Sequence, residues 1–200
     1  LGLRDDLSYL TEEGYREMHR GRGQTSLHLP LGQYELIGPA LASADEDLLL
    51  YGAGDESLRV WRGDVDESVV HIPTESAVSA IATDSKRIVL GCRRGVVLIL
   101  DNETGEELRR LPFGQGNVLS LSLSPNGRWL AGGAENGTVA VWNLETGEPL
   151  HTFAWTPRVT SLCVTDERIL AVGRDGSARL WDLMDGNLLR EAAAPRIPVF

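Results

Sequence analysis

The sequence predicts an all-β protein made of small four-stranded antiparallel sheets, because the chain repeats itself and each repeat alternates apolar and polar residues. The repeat is visible in three sets of apolar residues, whose members follow one another at steps of 39 to 42 residues. They are Trp61, Leu100, Trp142 and Trp181; Leu49, Val89, Leu130 and Leu170; and Leu41, Ile81, Leu121 and Leu162. Three independent positions that keep one period indicate a repeat architecture.

Inside the last two repeats, the two-residue period predicts four strands each. The predicted strands are residues 118–123, 128–132, 138–142 and 149–153, then residues 159–164, 169–172, 177–181 and 187–190. Turns rich in Asp, Asn and Gly separate them, which is typical of antiparallel hairpins. Glycine recurs five residues before the Trp-type position, at Gly95, Gly137 and Gly176, and five residues after it, at Gly105, Gly147 and Gly186. This recurrence indicates one antiparallel meander per repeat.

A four-stranded sheet of this size cannot bury both of its faces by itself. The inner strands are nevertheless apolar on both faces, and small residues such as Ala131, Gly132 and Gly133 allow a neighbour to approach closely. Such sheets become stable when they stack face to face around an axis. We therefore expect about four β-propeller blades, in a partial or incomplete ring.

Charge and hydropathy exclude several classes of function. The 200-residue chain is 42% apolar and has a formal net charge of -10, which disfavours the phosphate contacts that dominate nucleic-acid binding. Its longest apolar run, Val96 to Leu100, is too short for a membrane helix, and no signal peptide is visible at the N-terminus. The sequence thus predicts a cytoplasmic protein that binds neither nucleic acid nor membrane.

The thiol and imidazole groups predict no metal or cofactor. Cys92 and Cys163 both lie in apolar strand-like runs, so we expect two buried free thiols, as in a reducing compartment. The four histidines share no ligand spacing, and His71 and His151 fall in outer strands or their exits. Ser120 and Ser161 occupy one repeat position, which favours a packing role. We find no nucleophile, base or phosphate loop, so the prediction is a protein that is not an enzyme.

The third repeat resembles the WD-repeat family. Residues 124–143 contain Ser-Pro-Asn-Gly, Asn-Gly-Thr-Val and Trp-Asn, similar to the Ser-Pro-Asp-Gly, Asp-Gly-Thr-Val and Trp-Asp of that family. The fourth repeat ends in Trp181-Asp182, the second has Leu100-Asp101 at this place, and the first has Trp61-Arg62. The resemblance covers residues 36–192 and marks Trp61, Asp101, Trp142, Trp181 and Asp182 as structural repeat positions.

Two departures from the family pattern shape the expectations. No repeat has the usual Gly-His opening, so the Asp-His-Ser-Trp tetrad of the family is incomplete, and we expect stability to depend mainly on apolar stacking. Quinoprotein-type propellers also have an Asp-x-x-Thr-Gly turn like residues 101–105, but the tryptophan that follows it there is missing here. The WD-repeat reading is therefore preferred.

The repeat boundaries predict the organisation of the chain. Residues 1–23 do not repeat and form a non-repeat segment, either helical or a linker, and residues 24–200 form the partial propeller. Its blades are expected at about residues 36–73, 77–113, 117–154 and 158–192, with an outer or ring-closing strand at 25–31 and the start of a further blade at 196–200. We expect either further blades from a parent chain or self-association to complete the ring.

The resemblance places binding residues on one propeller face, formed by the middle hairpin turns and the connections between blades. The expected partner-binding residues are Trp155, Arg158, Arg93, Arg94, Arg174, Phe113, Gln115 and Asn117, with Glu135 beside them. An exposed Trp155 next to Arg158 matches the composition of interaction hot spots, and four arginines predict a basic rim on an acidic protein. The alternatives are turn residues that only face solvent and, for the tryptophan, an aromatic side chain that covers the edge of a blade.

These observations predict a non-catalytic scaffold that binds a peptide or protein partner through this face. Two alternatives stay open: a sensor or regulatory segment of a larger multidomain enzyme or signalling protein, and a quinoprotein-like assembly factor.

Overall fold

The computed structural model describes residues 40–42, 48–53, 56–62, 69–155 and 157–193. Within these ranges the chain forms strands and no helix, which confirms the all-β prediction. The first sheet contains β1 (Ala40–Ala42), β2 (Leu48–Ala53), β3 (Ser57–Arg62) and β4 (Val69–Pro73), and the second contains β5 (Val78–Thr83), β6 (Arg87–Cys92), β7 (Val96–Asp101) and β8 (Glu107–Pro112). The third contains β9 (Val118–Leu123), β10 (Trp129–Ala134), β11 (Thr138–Asn143) and β12 (Pro149–Ala154), and the fourth contains β13 (Val159–Val164), β14 (Arg168–Gly173), β15 (Ala178–Asp182) and β16 (Leu188–Ala192). The segments predicted at 1–23, 25–31 and 196–200 lie outside the described residues.

Each sheet is an antiparallel meander in chain order, and we call the four sheets the first to the fourth blade. The first strand of each blade contacts the first strand of the next one, from β1 through β5 and β9 to β13. The inner strands therefore lie side by side and the outer strands point away from them. This is the arrangement of propeller blades, and it confirms the predicted fold class.

The strand predictions hold for the last two blades, but two of the three repeat registers contain a slip of one residue. Leu41 pairs with Leu50 and therefore corresponds to Ala82, not to Ile81, which pairs with Leu90. The Trp-type residues Leu100 and Trp181 pair with Ile88 and Ile169, not with Val89 and Leu170. Trp61 and Trp142 pair with Leu49 and Leu130, as the second register assumed.

The turn between the first and second strands is two residues longer in the third blade, where Leu123 pairs with Leu130, than in the second and fourth, where Thr83 pairs with Ile88 and Val164 with Ile169. A residue count with steps near 40 therefore does not reveal the slip. A slip of one residue moves a side chain to the opposite face of its strand.

The corrected register sorts the side chains into two sets, one facing the preceding blade and one facing the following blade. Ile88, Leu130 and Ile169 pack against the blade before their own. The residues that follow Leu49, Ile88 and Leu130 in the sequence are Leu50, Val89 and Ala131, and they pack against the blade after their own. All six of the residues that pack in this way are fully buried, and burying a side chain of this size contributes about 1.5–3 kcal/mol for Val, Leu or Ile. Stacking of blades thus provides the core.

A glycine–valine contact sets the distance between neighbouring inner strands. Gly52, Gly91 and Gly133 occupy one repeat position, and each faces the valine that begins the next inner strand, namely Val78, Val118 and Val159. A Cβ atom on Gly52 would lie 2.7 Å from Val78, and one on Gly91 would lie 2.6 Å from Val118. Only glycine fits at these points, because real Cβ contacts do not become so short.

Serine hydroxyls join the inner strands of adjacent blades. Ser79 donates a hydrogen bond of 2.6 Å to the Val118 carbonyl, between the second and third blades. Between the third and fourth blades, the Leu162 and Val164 amides donate to the Ser120 and Ser122 hydroxyls, each at 3.1 Å. The backbone of each inner strand would otherwise present unpaired groups at the edge of its sheet. Ser120 therefore bonds as well as packs.

The structural repeat residues anchor the outer strands. Trp142 packs against Phe113 with ring centroids 5.4 Å apart, and Trp181 stacks on Phe153 at 4.9 Å. The Asp182 carboxylate accepts hydrogen bonds from the Met184 and Asp185 amides, which closes the turn from β15 to β16. The Asp101 carboxylate accepts hydrogen bonds from the Glu103 and Thr104 amides in the equivalent turn of the second blade. In the third blade, the side-chain oxygen of Asn143 accepts hydrogen bonds from the Glu145 and Thr146 amides. For Trp61, the structure describes the backbone pairing with Leu49 and Val69 in the first blade.

Candidate interaction face

One side of the stacked blades is formed by the turns between second and third strands and by the connections between blades, and we call it the hairpin face. Its turns lie between β6 and β7, β10 and β11, and β14 and β15. Gly95, Gly137 and Gly176 have φ angles of 71°, 84° and 81°, which is a conformation that glycine adopts without strain. The recurring glycine of each repeat therefore shapes this face.

A backbone hydrogen bond fixes each of the three turns to the connection beside it. The Arg93 amide donates to the Ala77 carbonyl at 3.1 Å, and the Arg174 amide donates to the Arg158 carbonyl at 2.8 Å. The third turn has the same bond, from the Glu135 amide to Asn117 at 2.9 Å. The backbone that carries the exposed side chains is thus held in place, while the side chains themselves extend from it.

Three arginines on the hairpin face have no acidic partner among the described residues. Arg93 and Arg94 lie in the turn of the second blade and Arg174 in the turn of the fourth, and all three side chains are exposed. Arg158, by contrast, forms a 2.9 Å ion pair with Glu135 across the junction of the third and fourth blades. Arg93, Arg94 and Arg174 are therefore available to an external anion, whereas Arg158 is already engaged.

The polar residues predicted for this face form a network around Glu135. The Asn117 amide group donates to the Glu135 carboxylate at 2.7 Å, so this carboxylate accepts bonds from both Asn117 and Arg158. Asn136 donates from its side chain to the Gln115 carbonyl at 2.6 Å. Exposed ion pairs of this kind contribute little to stability, about 0–1 kcal/mol each. Their effect here is to connect neighbouring blades.

Trp155 and Phe113 are both buried, so the prediction that Trp155 is exposed on this face is wrong. They hold equivalent positions just after β12 and β8, with exposed fractions of 5% and 7%. Trp155 packs at a right angle to Trp181, with ring centroids 6.2 Å apart, and Arg179 lies 5.4 Å from its ring centre. Their backbone amides donate to Gly137 and Gly95, which extends the pairing of each outer strand and turns the aromatic ring into the core.

The two cysteines differ, and the prediction that both are buried is wrong for Cys163. Cys92 lies between the first and second blades, and its burial raises the pKa of the thiol. Cys163 pairs with Leu170 on the side of the fourth blade that faces away from the third, and it is exposed. An apolar strand-like run did not reveal this, because both faces of each blade are apolar.

The opposite side of the blades, which we call the acidic face, carries the remaining turns. Asp84, Glu103, Glu106, Glu145, Glu148, Asp166, Glu167 and Asp185 lie in these turns or at their ends. An open cleft of about 590 Å³ lies here between the second and third blades. Its lining includes Arg87 and Arg128, which pair with Asp84 at 2.6 Å and Glu145 at 3.7 Å. Both guanidinium groups are thus engaged with carboxylates of their own blades.

The Asp84–Arg87 pair connects the second and third blades on the acidic face. Arg87 also donates a 2.6 Å hydrogen bond to the Gly127 carbonyl of the third blade. Burial alone would raise the pKa of Asp84, but hydrogen bonds from the Arg87 side chain and the Lys86 amide outweigh it and hold this pKa below its ordinary value. The carboxylate is therefore charged at neutral pH and keeps Arg87 in position.

Among the described residues, no group of three or more His, Cys, Asp or Glu side chains could hold a metal ion. No helix in the same part is long and apolar enough to cross a membrane.

Comparison with protein families identifies two of the blades. The family model described as "WD domain, G-beta repeat" matches residues 105–143 and 147–182, which contain the outer part of the second blade, most of the third and most of the fourth. The matched stretches include Trp142-Asn143 and Trp181-Asp182, which are two of the four Trp-Asp positions of the sequence resemblance. The resemblance to WD-repeat proteins is thereby confirmed.

Similar curated proteins match along much of the chain. The chain is 29% identical over 141 residues to the p21-activated protein kinase-interacting protein 1-like of Gallus gallus, covering 69% of this chain and 37% of the relative. It is 28% identical over 172 residues to the apoptotic protease-activating factor 1 of Rattus norvegicus, covering 82% of this chain and 13% of the relative. It is 30% identical over 101 residues to the small ribosomal subunit protein RACK1y of Oryza sativa subsp. japonica, covering 50% and 30%. The chain thus spans well under half the length of these relatives.

Solved structures show the same fold. The "Structure of U3-55K" superposes with a TM-score of 0.71 at 21% identity, covering 80% of this chain and 52% of that one. The computationally designed Ika8 protein gives a TM-score of 0.68 at 25% identity, with 78% and 48% covered. A chain of the mitotic checkpoint complex gives 0.75 at 15% identity, with 82% and 53% covered. The described blades therefore correspond to about half of each of these chains.

Proposed function

We propose that this chain, whose residues 105–143 and 147–182 match the WD domain family model and whose four sheets are arranged as propeller blades, is a non-catalytic scaffold that binds an acidic peptide, or an acidic segment of a protein, on its hairpin face. The observation that carries the proposal is the group of exposed arginines Arg93, Arg94 and Arg174, which have no acidic partner among the described residues. An arginine can bind a carboxylate through two parallel hydrogen bonds, and rigid turns lower the cost of holding it in place.

The distribution of charge supports a specific face rather than a general attraction. The chain carries a net charge of -10, and the acidic face collects many of the carboxylates in its turns. An acidic ligand is therefore repelled by most of the molecule and attracted to the hairpin face, which orients it during encounter. The same distribution disfavours nucleic acid, whose phosphates would meet the acidic surface as well.

The relatives support an interaction role in general terms. One is named as a protein that interacts with a kinase, and another, from Schizosaccharomyces pombe, is named as a subunit of the target of rapamycin complex. We propose a cytoplasmic location for the chain, since its free cysteines suit a reducing compartment.

A regulatory segment of a larger protein is the second candidate. The observation that favours it is the match to the apoptotic protease-activating factor 1, of which the chain covers only 13%. In that case the hairpin face would bind a segment of the same protein or of its activator. The chemistry of the bound segment would be unchanged, so the same experiment addresses both candidates.

The test is binding of a short fluorescein-labelled peptide of alternating Glu and Ser, measured by fluorescence anisotropy with the full chain. The double variant Arg94→Glu/Arg174→Glu should weaken binding about tenfold or more, since reversal of two exposed charges changes the interaction by roughly 1–2 kcal/mol. Raising the salt concentration should weaken binding to the original protein and have less effect on the variant.

The matched control is Lys86→Glu/Arg168→Glu, which makes the same change of charge with two exposed residues near the acidic face. Binding by this variant should stay within about twofold of the original, because its charges lie farther from the ligand than a Debye length of about 8–10 Å. Equal weakening by both double variants would show a net-charge effect and remove the assignment to the hairpin face. A peptide of alternating Lys and Ser that binds equally well would do the same.

A further inference from the structure

Glu135 has the opposite charge to its equivalents at one turn position of the hairpin face. The amides of Arg93, Glu135 and Arg174 each donate a hydrogen bond to the connection beside their own turn, so the three residues hold one repeat position. This position carries arginine in the second and fourth blades and glutamate in the blade between them. A carboxylate therefore lies in the middle of a row of turn residues that is otherwise basic.

The Glu135 carboxylate is bound by donors from two connections between blades. Its Oε2 atom accepts a 2.7 Å hydrogen bond from the Asn117 side chain, and its Oε1 atom accepts a 2.9 Å bond from the Arg158 guanidinium group. Asn117 and Arg158 are themselves equivalent, since each comes directly before the valine that begins an inner strand. Charge-assisted bonds of this kind are the contacts that a carboxylate of a bound acidic segment would make.

Solvent reaches this internal contact, so a ligand can exchange with it. The Glu135 and Arg158 side chains are 41% and 38% exposed, and exposed ion pairs contribute little to stability. The backbone beside them is held independently, because the Arg174 amide donates to the Arg158 carbonyl at 2.8 Å. Breaking the pair therefore releases two side chains and leaves the turns in place.

Glu135 also lies between the arginines that carry the proposed function. The connection before the third blade, residues 113–117, contacts the turn of the second blade and the turn of the third. The connection before the fourth blade contacts Glu135 through Arg158 and also contacts the turn of the fourth blade. An acidic segment that reaches from Arg94 to Arg174 must therefore pass Glu135, whose charge repels it.

We propose that Glu135 is an internal competitor of the acidic ligand, because it occupies Arg158 and so limits how tightly the hairpin face binds. This inference rests on the proposed function and adds a specificity-determining residue to it. A ligand carboxylate that binds Arg158 has to displace Glu135, so the new contact partly replaces an existing one. Removal of the Glu135 charge makes Arg158 a fourth arginine that is open to the ligand.

The test compares the variant Glu135→Gln with the original full chain in the anisotropy assay, with the same labelled peptide of alternating Glu and Ser. Glutamine keeps the length of the side chain, and its carbonyl oxygen can still accept a hydrogen bond from Asn117. The variant should bind the peptide about threefold to fivefold more tightly, because it removes a repulsive charge and frees Arg158. A poorly folded variant would bind less tightly, so a gain in affinity cannot result from misfolding.

The matched control is Glu148→Gln, which makes the same change of charge at an exposed residue of the same blade, but on the acidic face. Its affinity for the peptide should stay within about 1.5-fold of the original, because charges farther away than a Debye length of about 8–10 Å are screened. An equal gain by both variants would show an effect of net charge alone and would overturn the proposal.

The variant Arg158→Gln separates competition for this arginine from simple repulsion. In the original background it should lower the affinity only about twofold, since Glu135 already engages Arg158. In the Glu135→Gln background it should lower the affinity about fivefold or more, since Arg158 then contacts the ligand. Equal factors in the two backgrounds would show that the two residues act independently, which would overturn the proposal.

The outcomes distinguish this inference from the proposed function. Binding by the original protein with no gain in Glu135→Gln would overturn the inference and leave the proposed function in place. Binding by Glu135→Gln but not by the original protein would support the inference and contradict the proposed function. Weaker binding by Glu135→Gln would assign Glu135 a direct contact with the ligand and overturn the inference, and a peptide that binds neither form would overturn both.

Discussion

At the scale of single residues, the contact between a glycine and a valine sets the spacing of the inner strands. The Gly91→Ala variant would place a Cβ atom 2.6 Å from a Val118 methyl group and 3.2 Å from Ala80. We expect this variant to lower the free energy of unfolding by about 1–3 kcal/mol, the usual cost of overpacking a dense core. Urea denaturation followed by tryptophan fluorescence measures the change. Alanine has no intrinsic disadvantage over glycine in a strand, so the loss would report the contact.

Variants of Val118, the valine that contacts Gly91, provide the control for this prediction. Val118→Ala alone opens a cavity and also destabilises the protein, but in the double variant the added methyl group at position 91 fills part of that space. The cost of the double variant should fall below the sum of the single costs by at least about 0.5 kcal/mol. Additive costs would mean that the two residues do not interact in this way.

Single residues also show which features of the candidate interaction face could not be predicted from the sequence. The arginines at 93, 94 and 174 were placed on an exposed face correctly, because turn residues between short strands extend to solvent. Trp155 was misplaced, since its exposure depends on a neighbour, Trp181, that lies 26 residues further along the chain. A signal was available: Phe113 holds the equivalent position in the preceding repeat, and an aromatic residue that recurs in register more often packs than binds.

At the scale of strands and turns, the turn between β5 and β6 joins two blades through one carboxylate. Asp84 has a pKa below its ordinary value, so it stabilises the fold when ionised, and this stabilisation is lost as the pH falls through the folded-state pKa. The Asp84→Asn variant should be less stable than the original protein at pH 7. The difference should narrow as the pH is lowered below about 4, because the carboxyl group of the unfolded chain then binds a proton while that of the folded protein is still ionised.

Urea denaturation at several pH values gives this difference directly. Asp185→Asn is the matched control, because its exposed carboxylate accepts no hydrogen bond within the described residues and its loss should change stability little at any pH. A difference between Asp84→Asn and the original protein that stays constant down to pH 3 would contradict the role of the Asp84 charge. The Arg87 side chain would then be held in place mainly by its hydrogen bond to the Gly127 carbonyl.

Strands and turns were the most predictable elements. Their boundaries follow from alternation and from Asp, Asn and Gly in the turns, and β9 and β13 were predicted at the residues where they occur. The face that each strand presents was less predictable, because both faces of a blade are apolar and alternation does not distinguish them. The misplaced pair Val89 and Leu170 illustrates this: only the pairing with Ile99 and Leu180 shows that they face the following blade.

At the scale of the whole molecule, the blades form a linear stack in which each one contacts only its neighbours. Within the described residues, the second and third blades pack against a neighbour on both faces, whereas the fourth packs only against the third. The stability of such a stack is approximately the sum of the blade terms and the interface terms. The fourth blade therefore lacks one interface term that the second and third possess.

This difference predicts a gradient of local stability, which hydrogen exchange followed by mass spectrometry can measure. Peptides from β14 to β16 should exchange faster than peptides from β6 and β7 by about tenfold or more, since local opening of the fourth blade breaks one interface and opening of the second breaks two. Uniform protection across the four blades would instead show that they open as a single cooperative unit. The interfaces between blades would then be strong enough that no blade opens without its neighbours.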